Sequence, residues 1–368
     1  MSSTATQSQY TFDIRRLGVV MSGSETDPLE AWGVLNPALA RTRDGELLLF
    51  PRVVADGNYS RVGIARVEFD GSGDPIGVER LGYALEPEAW YEKNPRTAGV
   101  EDPRITFIPA IDAYVMAYSA YGPRSSRVAL AVSTDAREWR RLGLVRYADE
   151  LGVDFGIFDN KDAWFFPDVV DGPDGRPSLV LVHRPTFQIS WMAGGMSGGD
   201  DTITVLPDGT TEERAGIWFS YVAVEDLDDS LEGLVNVHHH TPVAFSEQPW
   251  EQLKIGGGTQ PVRLADGNYL SIFHGVRGTI NAGEDHQRDV HYAAGVMVHD
   301  GTDPRRILYR SSVPLLEPEL PDEITGIVGN VVFPTALDDR GDGRIDVYYG
   351  MADAKIGVAR LDVGMSKA

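Results

Sequence analysis

Residues 35–52 read LNPALARTRDGELLLFPR: a proline, a turn marked by Asp44 and Gly45, then an apolar run closed by Arg52. The pattern returns in EDPRITFIPAIDAYVMAYS (101–119), FPDVVDGPDGRPSLVLVHR (166–184), QPVRLADGNYLSIFHG (260–275) and FPTALDDRGDGRIDVYYG (333–350). The leading prolines, Pro37, Pro103, Pro167, Pro261 and Pro334, stand 66, 64, 94 and 73 residues apart. Self-similarity at such intervals marks a repeat architecture.

A second apolar segment follows in every repeat: RVGIARV from Arg61, RVALAVS from Arg127, GIWFSYV from Gly216, HYAAGVMV from His291 and KIGVARL from Lys355. Most are rich in β-branched or aromatic residues and lie near Gly, Asp or Pro, which is strand chemistry. No segment keeps a long apolar period of about 3.6 residues. Five repeats of roughly four strands each predict an all-β fold, a five-bladed β-propeller with a central funnel-shaped active site. A large β-sandwich or two β domains is the competing architecture.

The expected organisation is a single propeller over 1–368, with an insertion at about 186–215 in the long third interval. That insertion contains SWMAGGMSGGDDTITVLPDGTTEER (190–214), a stretch with the composition of a hairpin or lid. Its Trp191, Met192 and Met196 are apolar and want a cover, from the body of the protein or from a second copy in a homo-oligomer.

Charge narrows the partners. There are 55 acids against 33 basic residues, a formal net charge of −22. Such a field repels nucleic acid and anionic membranes, so neither is an expected partner. An anionic substrate must be drawn in by a local basic cluster. With no cysteine, disulfides, thiolate metal sites and cysteine nucleophiles are excluded. The first residues lack an apolar leader and no run reaches the length of a membrane span, so a cytoplasmic location is expected. Lysine is scarce (Lys93, Lys161, Lys254, Lys355 and Lys367), so each internal one merits a reason.

In a propeller the first strand of each blade is innermost and lines the channel. Asn36, Arg52, Asp102, Tyr118, Arg184, Gln260, His274 and Asp353 flank those strands and are expected to converge on one funnel. GVEDPRI (99–105) sets Glu101 and Asp102 before a proline, which restricts Asp102 to extended or turn geometry. Capping a turn is the ordinary role for such an aspartate. Aligned on the prolines, however, the other repeats carry Asn36, Phe166, Gln260 and Phe333 there, so Asp102 is the one carboxylate at that place. On an extended backbone Glu101 should point the opposite way and serve the structure.

Cations gather in the same motifs. Arg184 follows an apolar run and a histidine in LVLVHRP, where an uncompensated guanidinium is costly. His274 repeats the arrangement in LSIFHGV, although a lone histidine there is commonly a satisfied core residue. Lys254 precedes three glycines in WEQLKIGGG, whose amides can approach a ligand closely. Lys161 lies in DNKDAWFFP between Asp159 and Asp162, where a solvated ion pair is the plainer reading. A lysine, an arginine and a histidine at inner-strand ends would make an anion site, arginine as a fork and lysine as a point charge. No metal is expected. The histidines of VHHHT (237–241) are consecutive and read as loop, and DDRGDGRID (338–346) lacks a calcium loop's final glutamate and reads as a hairpin turn.

Taken together, GVEDPRI, DNKDAWFFP, LVHRP, WEQLKIGGG, SIFHGV, NVVFPT and YYGMADAKIGVA resemble, in order from about Asn36 to Leu361, glycoside hydrolase family 130. This family comprises the β-mannoside phosphorylases and related β-mannosidases. The resemblance implies a five-bladed propeller, in agreement with the repeats. It implies that Asp102 is the general acid, its proton relayed in the family through a sugar hydroxyl, and that Lys161, Arg184 and His274 hold phosphate. It further implies sugar contacts from Asn36, Arg52, Lys254, Tyr292 and Asp353.

The reaction so implied is inverting single displacement, in which inorganic phosphate cleaves a β-mannoside to α-mannose 1-phosphate. No cofactor is needed beyond phosphate as co-substrate. An inverting hydrolase needs a second carboxylate to activate water, whereas phosphate is already a nucleophile. To donate at neutral pH, Asp102 requires a raised pKa. The alternatives are a β-mannosidase of the same family and a noncatalytic sugar-binding propeller. Asp168 directly after FFP, Thr259 and Gln260 before Pro261, and Met351 depart from the family's usual residues.

Overall fold

The computed structural model describes residues 10–94, 97–151, 154–186, 204–205, 211–212, 215–279, 289–341 and 343–365. Five antiparallel sheets surround one axis. The first blade runs outward through Gly33–Arg41, Leu47–Ala55, Tyr59–Phe69 and Pro75–Leu85. The second is Ala98–Ile108, Ala113–Gly122, Ser125–Ser133 and Arg140–Leu144. The third takes Asp159–Phe165, Pro177–Thr186, Ile217–Ala223 and Asn236–Ala244. Lys254–Gly257, Tyr269–Gly278, Val290–His299 and Ile307–Arg310 make the fourth.

The fifth blade shows how the ring closes. Val332–Asp339, Arg344–Met351 and Lys355–Met365 come from the end of the chain. Its outermost strand is Tyr10–Ser22, paired antiparallel from Tyr10↔Met365 to Ser22↔Lys355. The two ends of the chain thus share one sheet, and the expected five-bladed propeller is the observed fold.

Each joint between blades holds its own apolar cluster, so the middle strands are covered on both faces. At the second joint, for example, Val115 and Leu130 meet Phe165 and Leu181. Burial on both faces explains why these strands read as continuous apolar runs rather than as alternation.

A second repeat, of charge, ties the blades shut. Glu30, Glu92, Glu251 and Glu323 each precede an innermost strand and lie almost wholly buried. Each pairs with an arginine of the same blade's outermost strand: Arg80, Arg141, Arg310 and Arg16. Their carboxylates also accept backbone N–H groups of the entering turn, as from Glu88 and Ala89 to Glu92. The latch spans the blade from axis to rim, which loops of sequence-local contacts could not do.

Two turn readings resolve differently. DDRGDGRID does join two hairpin strands, Val332–Asp339 and Arg344–Met351. VHHHT instead lies in the strand Asn236–Ala244, and its histidines make hydrogen bonds to protein rather than loop out. Most of the expected insertion, including Trp191, Met192 and Met196, lies outside the described residues. Among the described residues no helix is long and apolar enough to cross a membrane.

Candidate active site

The site begins with one backbone irregularity used three times. On the innermost strands of the first three blades the pairing register skips between Leu35 and Ala38, Glu101 and Arg104, and Lys161 and Trp164. Inside each skip sits a left-handed residue: Asn36 at φ 42°, Asp102 at φ 46° and Asp162 at φ 56°. Asn and Asp tolerate this region best, and a bulge re-aims the side chains around it. Positive φ outside glycine is uncommon and clusters at functional sites.

The bulge corrects two expectations. Asp102 is not extended, so Glu101 does not point away from it. Arg52 donates to both, Nη2 to Glu101 Oε1 at 2.8 Å and Nη1 to Asp102 Oδ1 at 3.2 Å. Nor is Asp102 the one carboxylate at its place, because the true equivalent in the third blade is Asp162 rather than Phe166. Alignment on Pro167 fails because the third blade's innermost strand, Asp159–Phe165, precedes that proline.

Around Asp102 the contacts are dense. Asn36 Nδ2 donates to its Oδ1 at 2.9 Å, and Arg104 Nη1 donates to its backbone oxygen at 2.8 Å. Lys161 Nζ lies 3.6 Å from Glu101 Oε2 and above the Tyr121 ring at 5.8 Å. Burial pushes the Asp102 pKa up, but Arg52, Arg104 and Lys161 outweigh it and hold the carboxyl below its ordinary value. This is opposite to the raised pKa expected of a proton donor. Asp353 shifts the other way: burial, with help from Asp102 and Glu101 against Arg52, raises its pKa to about 6.

Beside this acid group lies a second centre on Asp162. Arg184 Nε donates to Asp162 Oδ2 at 2.6 Å, and His274 Nε2 stands 3.6 Å from the same oxygen. Arg104 Nη2 lies 3.7 Å from Oδ1. Asp162 is therefore held well below the usual carboxylate range, Arg184 and Arg104 overcoming the effect of burial. Burial, together with Arg184 and Lys254, lowers His274 to about 3 despite Asp162. His274 is thus a neutral hydrogen-bonding group at pH 7 and not the cation the motif suggested. Burial and the charges of Arg184 and Lys161 likewise lower Lys254 to about 7. Its ammonium lies 5.6 Å from the Tyr292 ring centre, and Tyr292 in turn feels Asp353, Arg184, Asp162 and Asp102.

Asn36, Arg52, Asp102, Lys161, Arg184, Lys254, His274, Tyr292 and Asp353 thus form one electrostatically coupled group. Two other expected members lie elsewhere. Tyr118 donates to the buried Glu92 at 2.7 Å, and Gln260 donates to the Leu337 backbone at 3.1 Å. The glycines after Lys254 also have another cause. A Cβ on Gly256 would meet Asp162 Oδ2 at 2.4 Å and His274 Nε2 at 2.7 Å, and one on Gly258 would meet Ile272 O at 2.1 Å. They allow the fourth blade to close on the axis.

Behind the strand of Lys161 runs a chain of buried hydrogen bonds whose direction is fixed. His240 Nε2 faces the Ala148 carbonyl at 2.9 Å and so carries the hydrogen. Its Nδ1 then accepts from Ser220 Oγ, which accepts from His183 Nε2, each at 2.8 Å. His183 Nδ1 is left to accept from Asn160 Nδ2 at 3.0 Å. Every member is satisfied in this one direction, so both histidines are neutral, as the lowering of their pKa values by burial requires.

Residues 14–203 and 226–365 match glycoside hydrolase family 130, described as beta-1,4-mannooligosaccharide phosphorylase. The chain belongs to this family. It is 31% identical over 301 residues to a 1,2-beta-oligomannan phosphorylase of Thermoanaerobacter sp., covering 78% of this chain and 79% of that protein. A beta-1,2-mannobiose phosphorylase of the same organism is 31% identical over 307 residues, covering 81% and 78%. The solved structure of a Listeria innocua beta-1,2-mannobiose phosphorylase superposes with a TM-score of 0.62 at 21% identity, covering 92% of this chain and 96% of that one.

Three further residues join this coupled group: Glu101, Arg104 and Asp162. The sequence presents Arg104 and Asp162 only as neighbours of Asp102 and Lys161, and Glu101 as a structural residue. For Arg104 the two-residue alternation of a strand gives no guide, because the bulge at Asp102 lies between it and Glu101. Arg104 is 1% exposed and reaches across the axis to the Gly258 carbonyl at 2.9 Å.

Proposed function

We propose that this chain is an inverting phosphorylase of β-mannosides, a glycosyl-transferring enzyme that uses inorganic phosphate. The observation that carries the reading is the pairing of two centres: Asp102 on one bulge, and Arg184 with neutral His274 around Asp162 on the next, with Lys161 between them. A phosphate oxygen attacks the anomeric carbon as the glycosidic C–O bond breaks, and the departing oxygen takes the proton that Asp102 supplies, directly or through a sugar hydroxyl. Products are α-mannose 1-phosphate and the shortened saccharide.

Phosphate itself corrects the acid's pKa in this scheme. A dianion seated on Lys161 and Arg184 offsets the charges that hold Asp102 low, so binding and proton supply are linked. Asn36, Arg52, Lys254, Tyr292 and Asp353 are the sugar-binding groups of this reading. The relatives matched over most of the chain are named for β-1,2 linkages, so β-1,2-mannobiose and longer β-1,2-oligomannans are the first substrates to test. The charged product does not cross a membrane, which suits a cytoplasmic enzyme. A homo-oligomer and a single propeller with an insertion after Arg184 remain part of the proposal.

The test is incubation of β-1,2-mannobiose with and without phosphate. Turnover that requires phosphate supports the reading; phosphate-independent release of mannose supports a mannosidase, and binding without turnover a lectin.

A further inference from the structure

A cavity of about 500 Å3 opens at the joint of the second and third blades. Asn160 forms part of its wall, while Lys161, the next residue of the strand, belongs to the catalytic group. Neighbouring residues of a strand face opposite sides. The single strand Asp159–Phe165 therefore divides this cavity from the funnel, at the same end of the propeller. None of its lining residues has a part in the reaction proposed above.

Its chemistry is that of a sugar site. Trp90, Tyr91 and Tyr147 supply aromatic walls, and Trp90 is 56% exposed. Arg124 lies 5.3 Å from the Trp90 ring centre on one side. Arg124 and Arg146 are both exposed, and among the described residues neither has a carboxylate partner. Arg127, by contrast, is spent on the carbonyls of Gly156 and Ile157 and on Asp159. One exposed ring, Trp90, beside the half-buried Tyr91 and Tyr147 and two unspent guanidiniums, in a concavity of this size, suits a ligand with an apolar face and a hydroxylated rim. Asp154 shares the cavity, which disfavours a bare anion and suits a neutral saccharide.

We propose that this cavity binds sugar units of a β-mannoside chain outside the catalytic funnel, so that the protein holds long chains better than disaccharides. The identity of the sugar rests on the phosphorylase reading; the existence of a saccharide site does not.

The experiment compares wild type with Trp90→Ala and Arg146→Ala on β-1,2-mannobiose and on a long β-1,2-oligomannan. Expected is an unchanged kcat/KM for mannobiose and a fall of about tenfold for the long chain, the equivalent of one lost stacking or charged contact. Equal rates for variants and wild type on both substrates overturn the proposal, as does an equal loss on both. Binding of the oligomannan to the Asp102→Asn protein is measured in parallel by calorimetry. If no mannoside is phosphorolysed but binding still weakens in Asp102→Asn/Trp90→Ala, the saccharide site stands and the enzyme reading falls. If binding is absent, or indifferent to Trp90 and Arg146, the site falls by itself.

Discussion

Arg52 holds both acids of the EDPR motif, donating to Glu101 at 2.8 Å and to Asp102 at 3.2 Å. The nearby Asp353 has its pKa raised first by burial and then by these two carboxylates, against Arg52. The acid centre is thus a coupled set of carboxylates in which Asp353 takes up a proton more readily than Asp102.

Asp102→Asn should cut phosphorolysis by roughly a hundredfold to ten-thousandfold, the usual range for removing a general acid. The amide oxygen can still accept from Asn36 and Arg52, so the thermal midpoint should hold. Steady-state rates beside a melting curve check both halves; a large loss of both would make the residue structural.

Asp162→Asn should do the reverse and strike stability first. It removes the buried partner of Arg184 and leaves that guanidinium uncompensated, at a cost of about 3–5 kcal/mol. Because the folded pKa of Asp162 is depressed, its contribution exists above the ordinary carboxylate range and is lost as pH falls through the folded value. Denaturant midpoints of variant and wild type should therefore converge in strong acid. The KM for phosphate should rise as Arg184 loses its orientation.

Between pH 5 and 8 the site should lose positive charge twice. Asp353, at about 6, becomes anionic, and Lys254, at about 7, becomes neutral. Both changes weaken anion binding, so the KM for phosphate should rise with pH across that window. In Lys254→Arg the guanidinium does not titrate there, and the rise should be shallower. Parallel pH profiles of KM would refute this.

The rim-to-axis latches predict a different pattern. Arg141→Met leaves the carboxylate of Glu92 buried beside Tyr118 and should cost about 3–5 kcal/mol. Replacing both partners, as in Arg141→Met with Glu92→Gln, should cost less than the single change. A double-mutant cycle by chemical denaturation reads the coupling directly.

Much of this was legible in the chain. Repeating prolines and paired apolar runs announce five sheets, because each blade reuses the same turn chemistry. Asn36, Asp102, Lys161 and Lys254 stand on innermost strands and Arg52, Arg184 and His274 near the ends of the strands next to them, so their motifs marked them, whereas Tyr292 came only from the resemblance. Three things were hidden for physical reasons. Closure by Tyr10–Ser22 depends on pairing across nearly the whole chain, and no local signal carries it. The direction of Glu101 depends on a bulge, which breaks the alternation that sequence reasoning assumes. The charge states of His274 and Asp102 depend on burial and on how many cations converge, which only the packed structure reveals.

Phosphate should displace the leaving sugar at the anomeric carbon with inversion, and proton and phosphorus NMR of β-1,2-mannobiose with phosphate, followed from the first turnovers, reads that step. The expected first product is α-mannose 1-phosphate, formed in step with loss of the disaccharide. Appearance of free mannose in place of the phosphate ester, or of the β-phosphate, would contradict it.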